Sequence, residues 1–222
     1  MRFKVNEIFH SIQGEGTRAG RSCAFVRLTG CPLRCGYCDT EYAFYDGAFM
    51  EVEEILGSVR AMLGEPRKGP GAPFAELTGG EPLAIPGAPE LLRGMLDLGY
   101  EVALETAGSH DLAPVPKDVI KIVDRKTPGS GEVERWQDTN LDHMVPGQDE
   151  LKFVLVDAVD YEWAQAWCAE RKVWDRFEVL FSPVHGQLDP AWLAEAIVKD
   201  RLPVRFQVQL HKMIWGSERT GV

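Results

Sequence analysis

Short apolar runs alternate with amphipathic stretches of helical period from residue 24 to residue 210, and that alternation constrains the fold more than any single residue. Residues 24–28, 74–77, 101–104, 119–123, 151–156, 177–181 and 204–210 read as strands. Between them, residues 51–63 place Val52, Ile55, Leu56, Val59 and Leu63 at helical spacing, and 89–98, 161–173 and 190–198 read as further helices. The helix at 89–98 stops at Gly99, a residue that readily takes the left-handed turn ending a helix. Strand–helix–strand repetition demands a mainly parallel sheet with right-handed crossovers. A closed barrel of eight such units takes about 250 residues. This chain has 222, and some of its crossovers are abbreviated. The sequence therefore predicts an α/β fold, a partial, open parallel (β/α) barrel of six to seven strands, in a single domain over residues 1–222. Residues 64–73, dense in Gly and Pro, and residues 126–148 read as long connections within it.

Charge and cysteine usage narrow the function classes. The chain carries 24 Lys and Arg against 34 Asp and Glu, a net charge of −10, which repels phosphate backbones and argues against direct nucleic-acid binding. No apolar run approaches the ~20 residues of a membrane span, and residues 1–16 lack the apolar core of a signal peptide. Five cysteines, an odd number with three inside eight residues, do not suit a secreted disulfide framework. The expected setting is the reducing cytoplasm, with the close trio binding metal. Cys23 and Cys168 read as small core residues.

That trio, Cys31, Cys35 and Cys38, is spaced C-x3-C-x2-C on the loop after the strand at 24–28. Active-site groups gather at such strand ends in barrel-like folds. Three thiolates can hold three irons of a [4Fe–4S] cluster and leave the fourth iron open. A zinc site completed by Cys23 or a histidine is the competing reading, although no second Cys/His arm is present. Chance buried thiols are the third. A non-catalytic metal-binding module remains compatible with the spacing alone.

With Tyr37 before the last cysteine, the motif resembles the radical S-adenosylmethionine superfamily. Thr78-Gly79-Gly80-Glu81-Pro82, after the next strand, resembles that family's GGEP segment. More particular is Glu7-Ile8-Phe9-His10-Ser11-Ile12-Gln13-Gly14-Glu15-Gly16, which resembles the N-terminus of the 7-carboxy-7-deazaguanine synthase family of the queuosine pathway. Cys38-Asp39-Thr40 and the ending His211-Lys212-Met213-Ile214-Trp215 fit the same family. A glycyl-radical-enzyme activase shares the cysteine spacing but would need a protein partner.

The resemblance implies conversion of 6-carboxy-5,6,7,8-tetrahydropterin to 7-carboxy-7-deazaguanine with loss of ammonia, started by a 5′-deoxyadenosyl radical. Its cofactors would be a [4Fe–4S] cluster on Cys31, Cys35 and Cys38, S-adenosylmethionine, and Mg2+ with Thr40 as ligand. It implies S-adenosylmethionine contacts from Tyr37, Cys38, Asp39, Gly80 and Glu81, the last meeting the methionine amino group. Asp124, Arg125 and Lys126 align with another cofactor segment. Ser182, Pro183, Val184 and His185 do so too, where some relatives carry Gln-Pro-x-Asp. Substrate contacts fall to Ile12, Gln13, Gly14, Glu15, Arg27 and Thr78. Arg27 suits a carboxylate because its planar guanidinium grips two oxygens at once. Glycines 14 and 16 free the backbone to line a ligand. Glu105, His211 and Lys212 follow or end strands at the same rim without an assignable role. A homodimer and an external reducing protein such as a flavodoxin complete the expectation.

Overall fold

A computed structural model of the chain describes every residue except Lys68 and Pro70, so that part of the 64–73 connection lies outside the described residues. Its strands are β1 (Arg2–Ile12), β2 (Ser22–Leu28), β3 (Ala48–Glu51), β4 (Phe74–Gly79), β5 (Glu101–Thr106), β6 (Ile120–Asp124), β7 (Glu150–Leu155), β8 (Glu178–Pro183) and β9 (Arg205–Phe206). They form one sheet in the order β3-β1-β2-β4-β5-β6-β7-β8-β9, open between β3 and β9. From β2 to β9 every neighbouring pair is parallel, which gives the seven strands of the predicted partial barrel. Two antiparallel strands, β1 and β3, extend the β2 edge.

Those two strands lie beyond the predicted count of six to seven, for a physical reason. β1 interleaves Lys4, Asn6, Glu7 and His10 with its apolar residues, and a register shift between Val5 and Glu7 breaks its alternation. β3 has only four residues. The last predicted strand is also corrected: 204–210 contracts to Arg205–Phe206. After the Gln207 amide donates to the Phe181 carbonyl at 3.0 Å, the chain leaves the sheet.

The helices are α1 (Val52–Leu63), α2 (Ala88–Asp97), the one-turn α3 (Asn140–His143), α4 (Ala158–Arg171), α5 (Pro190–Asp200) and α6 (Leu210–Trp215). Glu51 and Glu54 form a reciprocal capping box that starts α1, which sequence periodicity alone places one residue too early. α1, α2, α4 and α5 cover the outer face of the sheet. The β5–β6 connection has no helix and the β6–β7 connection only α3 and two 3-10 turns, the abbreviated crossovers that the chain length requires. Among the described residues, no helix is long and apolar enough to cross a membrane.

Strand alternation then builds the interior. On β2, Ala24, Val26 and Leu28 join the helix-side core, while Cys23, Phe25 and Arg27 face the inside of the curved sheet. Inside, the layers change character. At the N-terminal ends, Arg18 bridges Glu101 and Glu150 at 2.8 Å each, and Arg21 pairs with Glu101 at 2.9 Å. Above this plug lies a small apolar layer of Cys23, Phe25, Phe74, Ala103, Ile120 and Ile122. Toward the C-terminal ends the inward residues turn polar: Arg27, Glu76, Thr78, Glu105, Asp124 and Lys152. Cys23 and Cys168 are fully buried among core residues, as expected of small apolar side chains.

Candidate active site

The polar layer opens into a cavity of about 680 Å3 at the C-terminal ends of the parallel strands. One wall is the loop after β2. Cys31, Cys35 and Cys38 all line the cavity as free, partly exposed thiols. Burial raises all three thiols, Cys35 to about 11. Among the described residues, no three Cys, His, Asp or Glu side chains converge on a single metal position. The cysteine loop is tied down from outside: the Gly36 amide donates to the Ser130 carbonyl (3.0 Å) and the Arg34 amide to Glu132 (2.6 Å). The partner segment is itself held by Asp160 of α4, whose carboxylate accepts from Thr127 (2.7 Å), the Gly129 amide (2.8 Å) and the Val156 amide (3.0 Å).

Gly79 and Gly80 end β4 directly against this loop. A Cβ at Gly80 would stand 2.4 Å from the Gly30 carbonyl and 2.6 Å from the Cys31 Cβ, so no larger residue allows the approach. Glu81, expected to meet the amino group of the cofactor, does not line the cavity. Its carboxylate is fully buried and accepts from Thr106 (2.8 Å), the Ala107 amide (2.8 Å) and the Leu83 amide (3.0 Å), bracing the turn instead of facing the cavity.

The facing wall is an ion-pair cage around Lys152 on β7. Its ammonium bonds Glu15 at 2.9 Å and Glu105 at a closer contact, with Asp124 at 3.9 Å. Burial opposes charge on Lys152, but Glu105, Glu15 and Asp124 outweigh it and carry the ammonium well above the ordinary lysine value. Burial likewise opposes ionisation of Glu15, yet Lys152 and Gln209 hold it below the carboxylate range. Gln209 donates to Glu15 at 3.0 Å, and the Leu210 amide donates to the Gly14 carbonyl at 3.0 Å. Together they join the end of β1 to the segment before α6. Gly14 is required there, since a Cβ would lie 2.4 Å from His211 Nδ1. Lys212 closes on Asp39 at 2.6 Å.

Most of the expected site residues meet here. Ile12, Gln13, Gly14, Glu15, Arg27, Tyr37, Cys38, Asp39, Thr40, Thr78, Gly80, Asp124, Lys126, Val184 and His185 all line the cavity. Arg27 uses Nε on Glu7 (2.8 Å), and its guanidinium makes no other hydrogen bond to the described residues. Arg125, Ser182 and Pro183 do not line it. Alternation along β6 and its extension turns Asp124 and Lys126 inward and Arg125 outward, where its guanidinium stacks on Trp136, Trp163 and Trp167. Sequence reasoning missed Glu76, Lys152, Gln209 and Asp160. For the first two a signal existed, a lone charge inside an apolar strand, in phase with Thr78 on β4 and opposite Glu105 across the sheet.

Two orphaned polar atoms suit an absent ligand. The Tyr37 hydroxyl and Asp124 Oδ1 are buried on the cavity wall without a partner among the described residues. With three soft thiols, a glycine approach and these donors and acceptors on one cavity, the residues fit a cluster and a polar organic cofactor.

Comparison with known proteins agrees. Residues 25–126 match the Radical SAM superfamily. The 7-carboxy-7-deazaguanine synthase of Chlorobaculum tepidum is 42% identical over 220 residues, covering 98% of this chain and 96% of that protein. The chain belongs to the 7-carboxy-7-deazaguanine synthase family. The Koribacter versatilis 7-carboxy-7-deazaguanine synthase is 40% identical, covering 99% of this chain and all of that protein. The crystal structure of QueE from Escherichia coli shares the fold, with a TM-score of 0.75 and 95% of each chain covered at 21% identity. Membership makes this chain a radical S-adenosylmethionine enzyme, with a [4Fe–4S] cluster and S-adenosylmethionine as cofactors.

Proposed function

We propose that this chain converts 6-carboxy-5,6,7,8-tetrahydropterin to 7-carboxy-7-deazaguanine with release of ammonia, as one domain over residues 1–222 acting in the cytoplasm. The observation that carries the reading is the convergence on one cavity of the cysteine trio, the Gly79–Gly80 turn and a buried polar ring of Glu15, Glu105 and Lys152. When bound, the cluster and S-adenosylmethionine supply a carbon-centred radical that removes hydrogen from the substrate. The protein's part is position, exclusion of water and electrostatics. Cys31, Cys35 and Cys38 hold the cluster. Gly80, Tyr37, Asp124 and Lys126 line the cofactor's place. Ile12 to Glu15, Arg27 and Thr78 hold the pterin. Anaerobic incubation with the carboxypterin, S-adenosylmethionine and reductant tests this: formation of 7-carboxy-7-deazaguanine is expected. A colourless protein holding one zinc and making no product would place it among non-catalytic metal-binding modules. An external reductant such as a flavodoxin and a homodimer belong to the same proposal.

Arg27 is expected to grip the pterin carboxylate with the two nitrogens that Glu7 leaves free. Arg27→Ala should raise KM by about two orders of magnitude with the cluster spectrum unchanged. Arg27→Lys should recover little, because an ammonium cannot reproduce the fork. Parental substrate affinity in the Ala variant refutes the assignment.

Thr40 is expected to be a Mg2+ ligand in the substrate complex. Its hydroxyl donates to Asp39 at 2.9 Å, which leaves oxygen lone pairs for a cation. One neutral hydroxyl holds Mg2+ weakly, so the substrate carboxylate and water must complete the shell. Mg2+ should therefore bind far better with substrate than without. Titration of Thr40→Val should show loss of most magnesium stimulation with S-adenosylmethionine binding retained; an unchanged response overturns the role.

A further inference from the structure

One carboxyl group on the cavity wall takes no part in the cage around Lys152. Glu76 sits in the middle of β4, in phase with Thr78, and is 1% exposed. Among the described residues its side chain has a single hydrogen-bond partner, Gln13, whose amide nitrogen donates to Oε2. Gln13 is fixed in turn. Its Oε1 accepts from the Glu15 amide at 3.0 Å, and its backbone exchanges hydrogen bonds of 2.8 Å with Arg21 and Gly20. Lys152 spends its hydrogen bonds on Glu15 and Glu105, so no cation among the described residues bonds Glu76.

A buried carboxylate with a neutral amide as its only partner is costly, and protonation relieves that cost. Burial first, and then the charges of Glu105 and Glu15 against the opposing pull of Lys152, raise Glu76 well above the carboxylate range. A protonated carboxyl presents one hydroxyl donor beside a carbonyl acceptor. With Oε2 accepting from Gln13, Oε1, which takes no hydrogen bond from the described residues, is left to carry the hydroxyl.

We propose that Glu76 is a specificity-determining residue that pairs, as an uncharged donor–acceptor group, with the lactam edge of the bicyclic substrate. A lactam sets an N–H donor beside a C=O acceptor, the complement of a neutral carboxyl. A carboxylate would offer acceptors only and would face the lactam carbonyl with like polarity. The inference rests on reading the cavity as the pterin site.

Steady-state kinetics of the reconstituted holoenzyme with 6-carboxy-5,6,7,8-tetrahydropterin test it. Glu76→Gln keeps a donor and an acceptor in the same shape and should hold KM within about threefold of the parent. Glu76→Leu removes both and should raise KM at least about tenfold, since the lactam groups would be buried unpaired. Its kcat, S-adenosylmethionine affinity and cluster spectrum should stay near parental values. Glu76→Ala makes the same comparison if the Leu variant does not fold. A Leu or Ala variant with parental KM overturns the role, as does a Gln variant as impaired as Leu, which would mean that charge is what matters. A parent holoenzyme that makes no product overturns the pterin reading itself, and this role with it.

Discussion

Cys35→Ala protein is expected to purify folded but colourless, with no turnover. The three thiols on the loop after β2 are the only Cys side chains among the described residues that line the cavity, and loss of one leaves an iron without its protein ligand. Cys31→Ala and Cys38→Ala should behave alike. Cys23→Ala is the control: Cys23 lies in the apolar layer below the cavity and is fully buried, so its removal should cost modest stability and leave iron content and absorbance near 400 nm intact. Iron analysis of the anaerobically reconstituted proteins decides between them. A brown Cys35→Ala protein beside a colourless Cys23→Ala protein would exchange the ligand assignment.

Lys152→Met is expected to have the second largest effect, on stability as well as activity. The substitution keeps the volume but leaves Glu15 and Glu105, whose side chains are 17% and 29% exposed, without their cation. Both carboxylates keep some contact with water, so the cost falls below the about 3–5 kcal/mol of breaking a fully buried pair. The pH dependence follows from the two shifts. Lys152 is raised when folded, so its contribution is complete below the unfolded lysine pKa and is lost as pH climbs through the raised folded value. Glu15 is lowered when folded, so its contribution is complete above the unfolded carboxylate pKa and is lost as pH falls through the depressed folded value. Between those limits the parent should show a plateau. In the variant Glu15 has lost its cation and takes up a proton more readily. The stability gap should therefore be widest near neutral pH and narrow as the solution is made acidic. Denaturant unfolding of both proteins across pH 4–9 measures it, and a pH-independent gap would separate Lys152 from the cage.

Much of the fold was legible because its seven parallel strands are apolar and regularly spaced, and because each helix between them shows its buried stripe. The cysteine loop and the Gly79–Gly80 turn were legible as compact motifs whose residue types have few other uses together. What escaped did so for physical reasons. Glu76 stands alone in an apolar strand and Lys152 shares its strand only with Glu150 at the first position, and such a charge reads equally well as a solvent-facing residue. Only the curvature of the sheet makes the inward face a polar chamber. Gln207 and Gln209 read in sequence as the end of a strand, whereas their side chains serve Gly16 and Glu15, contacts that no local pattern announces. Glu81 was legible as important but not in direction. Its motif placed it beside a ligand, and the short turn it caps drew the carboxylate inside.

The contact between the loop after β2 and α6 has a consequence for chain synthesis. Asp39 and Lys212, joined across the cavity mouth, lie 173 residues apart. At about 5–20 residues per second, a ribosome takes on the order of ten to thirty-five seconds to travel that distance. Throughout that interval the nascent chain carries three soft thiols in sequence but lacks the residues that wall them in. An unfinished chain thus exposes these thiols to adventitious metals and oxidants more than the finished one, in which they are partly buried. Expression under slow translation should accordingly raise the fraction of oxidised, cluster-free protein more than it raises misfolding of the helix-covered face.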